Sequence, residues 1–146
     1  MTAGSTLVIF RVGDEEMGVP VAMVREVAPW QPPTRIPHAP SGVLGLVNIR
    51  GNVVIVIDLR ERLSAIVRAT QPNALLVVAM PASIVGFAVD EVVDIDRVMD
   101  VASPPGGALE HPGMLGVALR GDRVILVIDL RAIAASKLAA KLAASG

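Results

Sequence analysis

The sequence predicts a mainly β protein in which two small, closed or nearly closed β-barrels pack together and are followed by a C-terminal α-helix. Three observations support this prediction. One pattern occurs twice along the 146 residues, and each copy contains about five short β-rich runs separated by polar turns. The last segment has helical periodicity. Because long helical patterns do not alternate with the β-rich runs, a parallel βαβ sheet is disfavoured.

The repeat is clearest in a predicted hairpin at residues 36–60. Two β-branched runs flank Arg50-Gly51-Asn52, and turn residues in that position indicate a β-hairpin. The pattern returns in the second half of the chain, where it turns at Arg120-Gly121-Asp122. The matching positions, at a constant spacing, are Gly45, Val53, Val56, Ile57, Asp58, Leu59 and Arg60 with Gly116, Val124, Val127, Ile128, Asp129, Leu130 and Arg131. A second match relates residues 18–21, 24 and 27 to residues 86–89, 92 and 95. The chain therefore contains two copies of one β unit.

The first copy opens with two β-rich runs on either side of a polar turn. Pro20, followed by Val21 and Val24, suits a single helical turn. Prolines at positions 29, 32 and 33 make residues 27–36 an extended edge or crossing segment, because proline cannot donate to a β-ladder. The predicted elements are strands at residues 7–12, 17–19, 43–49 and 53–58, then a short turn or loop at 59–68.

The second copy repeats this order and ends in a helix. Its predicted elements are strands at residues 74–80, 84–89, 95–101, 114–119 and 124–128, with a proline- and glycine-rich loop at 103–112. Residues 131–144 are rich in Ala, Leu and Lys. Lys137 and Lys141 fall on one side of this segment and Leu138 and Leu142 on another, as in an amphipathic helix.

Composition excludes several classes of protein. Hydrophobic residues make up 53% of the chain and charged residues 18%, which excludes a disordered protein. A net charge of −1 provides no electrostatic footprint for nucleic acid or an anionic membrane. The absence of cysteine excludes disulfides, thiol catalysis and thiolate metal sites. Apolar runs such as residues 74–80 are too short for a membrane span, and no basic leader precedes them, so we expect a cytoplasmic protein.

Neither a catalytic site nor a metal site is predicted. His38 and His111 each lie beside prolines in predicted loops, without the spacing of a zinc pair or a convincing catalytic triad. The cluster of Asp90, Glu91, Asp94, Asp96 and Asp100 lacks the glycine and the terminal glutamate of a calcium loop. We therefore interpret this cluster as a solvated strand face, and we expect no cofactor.

The hairpin region resembles the motif of CheW, the family of bacterial chemotaxis coupling proteins. The residues that carry the resemblance are Ile36-Pro37, Pro40, Gly45, Asn48-Ile49-Arg50-Gly51 and Asp58-Leu59, with Val24-Arg25-Glu26-Val27 upstream and Gly86, Val89-Asp90 and Val92 to Ile95 in the second copy. The resemblance extends from residue 7 to about residue 134. Ile55 departs from the family pattern, which usually has proline there, so a regular strand is expected at this position.

The resemblance implies a single CheW-like domain over residues 1–146, with two SH3-like five-stranded barrels packed around a shared hydrophobic core. The first subdomain would span approximately residues 20–85, and the second would combine residues 7–19 with 86–130, before the helix at 131–144. The implied function is a non-enzymatic adaptor that joins the cytoplasmic tip of chemoreceptors to the regulatory domain of the histidine kinase CheA. Such an adaptor would be cytoplasmic and recruited to membrane-associated receptor arrays, without binding nucleic acid or inserting into the membrane.

The resemblance also implies a receptor-binding set that consists of Val24, Glu26, Arg50, Val92 and Ile95. From the residues alone, the favoured interpretation of Arg50 is a solvated turn arginine, Glu26 is a surface carboxylate, and the three aliphatic residues are core. The matching arginine of the family belongs to the receptor-contact region, which favours the binding role for Arg50. No residue is assigned to the kinase-binding face.

Two other functions remain open at the level of sequence. A CheW-like regulatory scaffold for another two-component or motility kinase would keep the fold and change the partner. A small-ligand or enzymatic β-barrel would need convergent polar groups in a pocket. No such group is evident in the sequence.

Overall fold

The computed structural model describes residues 4–60, 71–101 and 113–136, which form two five-stranded β-sheets. The strands of the first half are β1 (Gly4–Val12), β2 (Glu15–Pro20), β3 (Glu26–Pro29), β4 (Val43–Ile49) and β5 (Asn52–Asp58). Those of the second half are β6 (Ala74–Ala79), β7 (Ile84–Val89), β8 (Glu91–Val101), β9 (Met114–Arg120) and β10 (Arg123–Ile128). A 3₁₀ turn, Val21–Met23, joins β2 to β3. The predicted mainly β fold of two packed sheets is confirmed.

Each sheet combines strands from both halves of the chain. The first sheet is a closed barrel with the order β1-β2-β10-β9-β8, and the second has the order β3-β6-β7-β5-β4. The pairs β2–β10 and β5–β7 are parallel, and the other neighbours are antiparallel. The opening two strands of each copy thus complete the sheet formed by the last three strands of the other copy. This exchange ties the two sheets into one body.

The second sheet is nearly closed by the proline-rich segment that follows β3. While β3 pairs with β6 at one edge, Thr34 forms an isolated bridge to Leu46 of β4 at the other edge. The backbone N–H groups of Thr34 and Leu46 each donate to the carbonyl of the other residue at 2.8 Å. Gly45 permits this approach, since a Cβ there would lie 2.1 Å from the Thr34 carbonyl oxygen. Ile55 continues β5 without a break and pairs with both Leu46 and Val85, as the departure from proline predicts.

The two sheets divide after residue 89, whereas the expected subdomain boundary lies at residue 86. That boundary falls inside β7, which pairs with β5 and β6 in the second sheet. The first sheet resumes at β8, and Asp90 is the single residue between the two strands. Strand β8 begins at Glu91, earlier than the predicted strand at residues 95–101.

The ends of several predicted elements lie outside the described residues. The predicted loop at 103–112 falls there, as do residues 61–68 of the predicted turn, whereas residues 59 and 60 are helical. The predicted C-terminal helix is α-helical over residues 130–136, and residues 137–144 are not described. The Asp129 side chain accepts a hydrogen bond from the Ala132 N–H at 3.0 Å and so caps the start of this helix.

A shared hydrophobic core lies between the two sheets. Strand β1 sends Val8, Phe10 and Val12 into this core and Leu7 and Ile9 into the interior of the first barrel. Strand β6 divides its side chains in the same way, with Leu76 and Val78 in the shared core and Leu75 and Val77 inside the second sheet. Residues 7–10 of β1 and 74–78 of β6 are therefore buried on both faces, which explains the uninterrupted apolar runs there. Phe10 and Phe87, both fully buried, also lie in the shared core, and the C-terminal helix packs Ile133 onto it.

A buried ion pair adds a polar link between the sheets at Asp90. The Asp90 carboxylate accepts a hydrogen bond from the Gly13 N–H in the β1–β2 turn at 2.6 Å. The same carboxylate lies 3.5 Å from Arg60, which follows β5 of the second sheet and also binds Asp58 at 3.1 Å. Burial acts to lower the pKa of Arg60, but the hydrogen bond and charge of Asp58, reinforced by Asp90, raise it above its ordinary value. Arg60 thus stays charged and holds the two sheets in a fixed relation.

We expect Asp90→Ala to lower the free energy of unfolding by about 3 kcal/mol, because it leaves the buried Arg60 short of one counterion and the Gly13 N–H without its acceptor. The matched control is Glu91→Ala, which removes the half-exposed partner of Arg11 and should cost less than about 1 kcal/mol. Urea denaturation of both variants provides the measurement. Equal losses for the two variants would contradict the assigned role of Asp90.

Candidate functional site

The β4–β5 hairpin holds Arg50 at its tip in a left-handed backbone conformation. Arg50 has φ +53° and Gly51 φ +85°, and the flanking residues Ile49 and Asn52 pair with each other. Positive φ at both central residues defines a type I′ turn, which suits a two-residue hairpin. The Asn48 side chain accepts a hydrogen bond from the Gly51 N–H at 2.8 Å, and Gln31 donates to the Asn48 carbonyl at 3.2 Å. The turn is therefore well defined despite lying at the surface.

A left-handed conformation is unfavourable for arginine, by about 1–2 kcal/mol relative to glycine. The second copy shows the unstrained solution, because Gly121, with φ +63°, occupies the position that the repeat aligns with Arg50. The first hairpin thus keeps a long cationic side chain where the fold itself favours glycine. Backbone strain retained in this way supports a functional role for the Arg50 side chain.

Arg50 lies next to Glu26, the first residue of β3. The Nε atom of Arg50 is 3.5 Å from Oε1 of Glu26. The Arg50 side chain is nevertheless 81% exposed, so most of its guanidinium N–H groups face solvent. A surface ion pair of this kind contributes between 0 and about 1 kcal/mol to stability. The pair therefore orients Arg50 and leaves most of its N–H groups able to donate hydrogen bonds to a partner.

The first barrel also has an arginine beside its hairpin turn, one residue before the position aligned with Arg50, and this arginine pairs with several carboxylates. Arg120, next to the second hairpin turn, binds Glu16 at 2.9 Å, Asp94 at 3.1 Å and Asp96 at 3.2 Å, and its side chain is only 22% exposed. Burial acts to lower the pKa of Arg120, whereas the hydrogen bonds that it donates to Asp96 and Asp94 and the charge of Glu16 raise the pKa above its ordinary value. Asp94 is the repeat counterpart of Glu26, in the same alignment that relates Val24 to Val92. Of the two arginines, Arg50 is the one available to a partner.

The three aliphatic residues of the predicted site differ in exposure. Val24 and Val92 are partly buried and pack against the shared core, so they belong partly to the interior. Ile95 is exposed on β8, directly opposite Val8 of the shared core. The structure thus brings Arg50 and Glu26 into contact and places Val24 and Val92 at the margin of one core, whereas Ile95 lies on the first barrel.

Sequence analysis did not select Val27, which has the same environment as Ile95. Val27 is exposed on β3 beside Glu26 and pairs with Leu76, another residue of the shared core. The repeat aligns Val27 with Ile95. That correspondence was the signal that could have identified it.

The acidic cluster binds arginines of the chain itself. Asp94 and Asp96 bind Arg120, Glu91 pairs with Arg11, and Asp90 contacts Arg60. Glu91, Asp94 and Asp96 are 44%, 50% and 43% exposed, as expected for a solvated face, but paired β-strands also bring basic side chains next to them. Asp90, at 15%, is largely buried. Within residues 4–60, 71–101 and 113–136, no group of three or more His, Asp or Glu side chains is arranged to hold a metal ion.

One cavity of about 710 Å³ lies beside the second sheet. Its lining includes Trp30, Ile36, His38 and Val43 together with Asp58 and Arg60. Asp58 and Arg60 bind each other through two contacts of 3.1 and 3.2 Å. These two charged groups therefore neutralise each other at the wall of the cavity, which Arg35 also lines. Arg120-Gly121-Asp122 spans the end of β9 and a tight turn, as the sequence predicts.

Three comparisons relate this chain to known proteins. A family model described as the CheW-like domain matches residues 6–138. The chain is 36% identical over 134 residues to a probable chemotaxis protein CheW of Rhizobium etli, covering 87% of this chain and 85% of that protein. It is 39% identical over 114 residues to protein FrzA of Myxococcus xanthus, covering 74% and 70% respectively. The crystal structure of the scaffolding protein TtCheW from Thermoanaerobacter tengcongensis superimposes with a TM-score of 0.76 at 25% identity, over 88% of this chain and 91% of that one.

The strain at Arg50 can be measured by comparing Arg50→Gly with Arg50→Ala. Both variants lose the contact with Glu26, but only glycine adopts φ +53° without a Cβ penalty. We therefore expect Arg50→Gly to exceed Arg50→Ala in the free energy of unfolding by about 1 kcal/mol. Gly121→Ala, at the counterpart turn where a Cβ would have open space, should lose about the same amount relative to the unsubstituted chain. Equal stability of the two Arg50 variants in urea would show that the turn is unstrained.

Proposed function

The chain belongs to the CheW-like domain family, and from this premise we propose that it is a non-enzymatic adaptor that couples chemoreceptors to the histidine kinase CheA. The family is one of chemotaxis scaffold and adaptor proteins, as the names of the relatives and of the solved structure indicate. The adaptor would hold the cytoplasmic tip of a receptor and the regulatory domain of the kinase in one fixed geometry.

The observation that carries this proposal is the exposed, strained Arg50 beside Glu26. The planar guanidinium offers donors that pair well with carboxylate or carbonyl oxygens. Glu26 would fix the orientation of Arg50 and accept a hydrogen bond from the partner. A receptor helix hairpin presents such polar groups at regular intervals beside apolar side chains, and therefore suits this pair of residues.

Aliphatic residues near the shared core would supply the apolar part of the receptor contact. Val24 and Val92 lie at the margin of that core, and Ile95 is exposed. Apolar anchors surrounded by oriented polar groups are typical of specific protein interfaces. We add Val27 to this set because its exposure and its position next to β6 match those of Ile95 next to β1.

Coupling would follow from the rigidity of the two-sheet body. The shared core and the Asp90–Arg60 pair keep the sheets in one arrangement. A receptor bound to one surface and a homologous barrel of the kinase bound to another apolar surface would therefore keep a constant mutual orientation. This role requires no chemistry on a substrate.

We place the adaptor in the cytoplasm, recruited to membrane-associated receptor arrays through its receptor contact. Across the described residues, none of the helices has the length and apolar character needed to cross a bilayer. The net charge of −1 likewise offers no attraction to anionic lipid or nucleic acid.

A second candidate keeps the scaffold role but changes the kinase. The match to protein FrzA, whose name differs from that of the other relatives, favours a CheW-like regulatory scaffold for another two-component or motility kinase. Affinity capture from cells would distinguish the two candidates, since the adaptor of the main proposal retains CheA and the second candidate retains a different sensor kinase.

The receptor assignment predicts that Arg50→Gly and Arg50→Ala both bind a receptor cytoplasmic fragment at least about tenfold more weakly, a loss of roughly 1.4 kcal/mol. Both should bind the CheA regulatory domain normally and remain folded, because the side chain is 81% exposed. Arg123→Ala is the matched control, since it removes an exposed arginine next to the other hairpin turn. Co-sedimentation with receptor fragment and kinase domain tests both partners. Wild-type receptor affinity in the Arg50 variants would refute the assignment, and failure of the unsubstituted chain to bind either partner would refute the adaptor function.

A further inference from the structure

The outer face of the first barrel carries a continuous row of exposed apolar side chains across three strands. Met99 of β8 pairs with Leu119 of β9, which pairs with Val124 of β10. These residues, which we call the apolar row, are 56%, 40% and 68% exposed. Their sequence neighbours Val98, Ala118 and Ile125 fill the barrel interior, so alternation along each strand directs the apolar row outward.

The barrel architecture itself does not require this row. In the second sheet, the counterpart of Val124 is Val53, which is equally exposed at 66%. Val53, however, pairs with the polar Asn48, whose side chain binds the hairpin turn. The repeat thus provides one exposed valine on each sheet, but a continuous row only on the first barrel. Adjoining exposed apolar side chains are typical of a surface that is covered by another protein.

Two charged residues lie between the row and the second hairpin turn, one beside its β8 end and one beside its β10 end. Arg97 is on β8, two residues from Met99, and Asp122 is in the turn, two residues before Val124. Both residues are exposed, and neither has an ion-pair partner within the part of the chain that the structure describes. The row is therefore bordered by a positive charge on the β8 side and by a negative charge on the β10 side.

Two copies of this face can pack against each other in a complementary way. They would be related by a twofold axis that lies in the plane of contact and runs parallel to β9. Such a rotation exchanges the β8 and β10 sides while it preserves the position along the strands. Leu119 then meets Leu119 of a second copy, Met99 meets Val124, and Arg97 meets Asp122. An interface in which the same patch serves both subunits is the usual form of a symmetric dimer. Two sheet faces with nearly aligned strands also pack well together.

We propose that the apolar row binds a second copy of this chain and forms a twofold-symmetric dimer. The charged borders fix the register, and the three apolar residues are removed from water in the contact. The row lies on the first barrel, whereas the Arg50–Glu26 pair belongs to the second sheet, so the dimer proposal is independent of the proposed receptor contact.

Analytical ultracentrifugation of the full 146-residue chain over a wide concentration range tests the proposal. We expect a reversible monomer–dimer equilibrium. Val124→Asp should weaken it at least about tenfold, because a carboxylate would be buried against apolar side chains. Val53→Asp, the repeat counterpart with matching exposure, should leave the equilibrium unchanged.

Charge reversal tests the predicted register. Arg97→Asp and Asp122→Arg should each weaken the dimer at low ionic strength, and the double variant should restore it, because the pair is regenerated with its signs exchanged. Circular dichroism confirms that each variant is folded. A wild-type chain that stays monomeric, or a double variant weaker than both single variants, would overturn the proposal. So would loss of kinase binding in Val124→Asp while the wild-type chain alone is monomeric, since the row would then be a kinase contact.

Discussion

Burial of β1 and β6 on both faces is the constraint on which the rest of the structure depends. One face of each strand fills its own sheet, and the other face forms the shared core, which includes Phe10 and Phe87. Neither sheet can be removed without exposing the apolar side chains of the other. The two barrels therefore form one rigid body, and side chains at the edges of that body have fixed positions relative to each other. A scaffold that transmits geometry between partners needs this property.

The two copies share a fold but differ in how the arginine beside each hairpin turn is paired. In the first barrel, Arg120 is surrounded by three carboxylates and only 22% exposed. In the second sheet, Arg50 pairs with Glu26 alone among the described residues and has a strained backbone. Duplication thus provides a common frame, and we propose that partners bind where the two copies depart from symmetry. The apolar row follows the same logic, because it is continuous on one sheet only.

The repeat, the hairpins and the position of Arg50 could be predicted from the sequence, because turn chemistry and alternation of side chains are local properties. The exchange of strands between the halves was expected only from the family resemblance, which joins residues 7–19 to 86–130, since the same period-2 pattern fits a strand paired within its own half or with the other half. The expected boundary at residue 86, inside β7, reflects this ambiguity. Likewise, the local sequence around Asp94 and Asp96 predicts only that they are solvated. Their contacts with Arg120 arise because strands distant in sequence pair in the barrel. Val27 could have been predicted as a site residue, because the repeat aligns it with Ile95.

The central claim is that a rigid two-sheet body presents the Arg50–Glu26 pair to a chemoreceptor. Hydrogen exchange followed by mass spectrometry, with and without a receptor cytoplasmic fragment, tests it most directly. The account predicts slower exchange in Glu26–Pro29 and in residues 48–52 on binding, whereas β1 and β6 are already protected in the unbound chain and change little. Slower exchange confined to β9 and β10, with no change around Glu26 and Arg50, would contradict it.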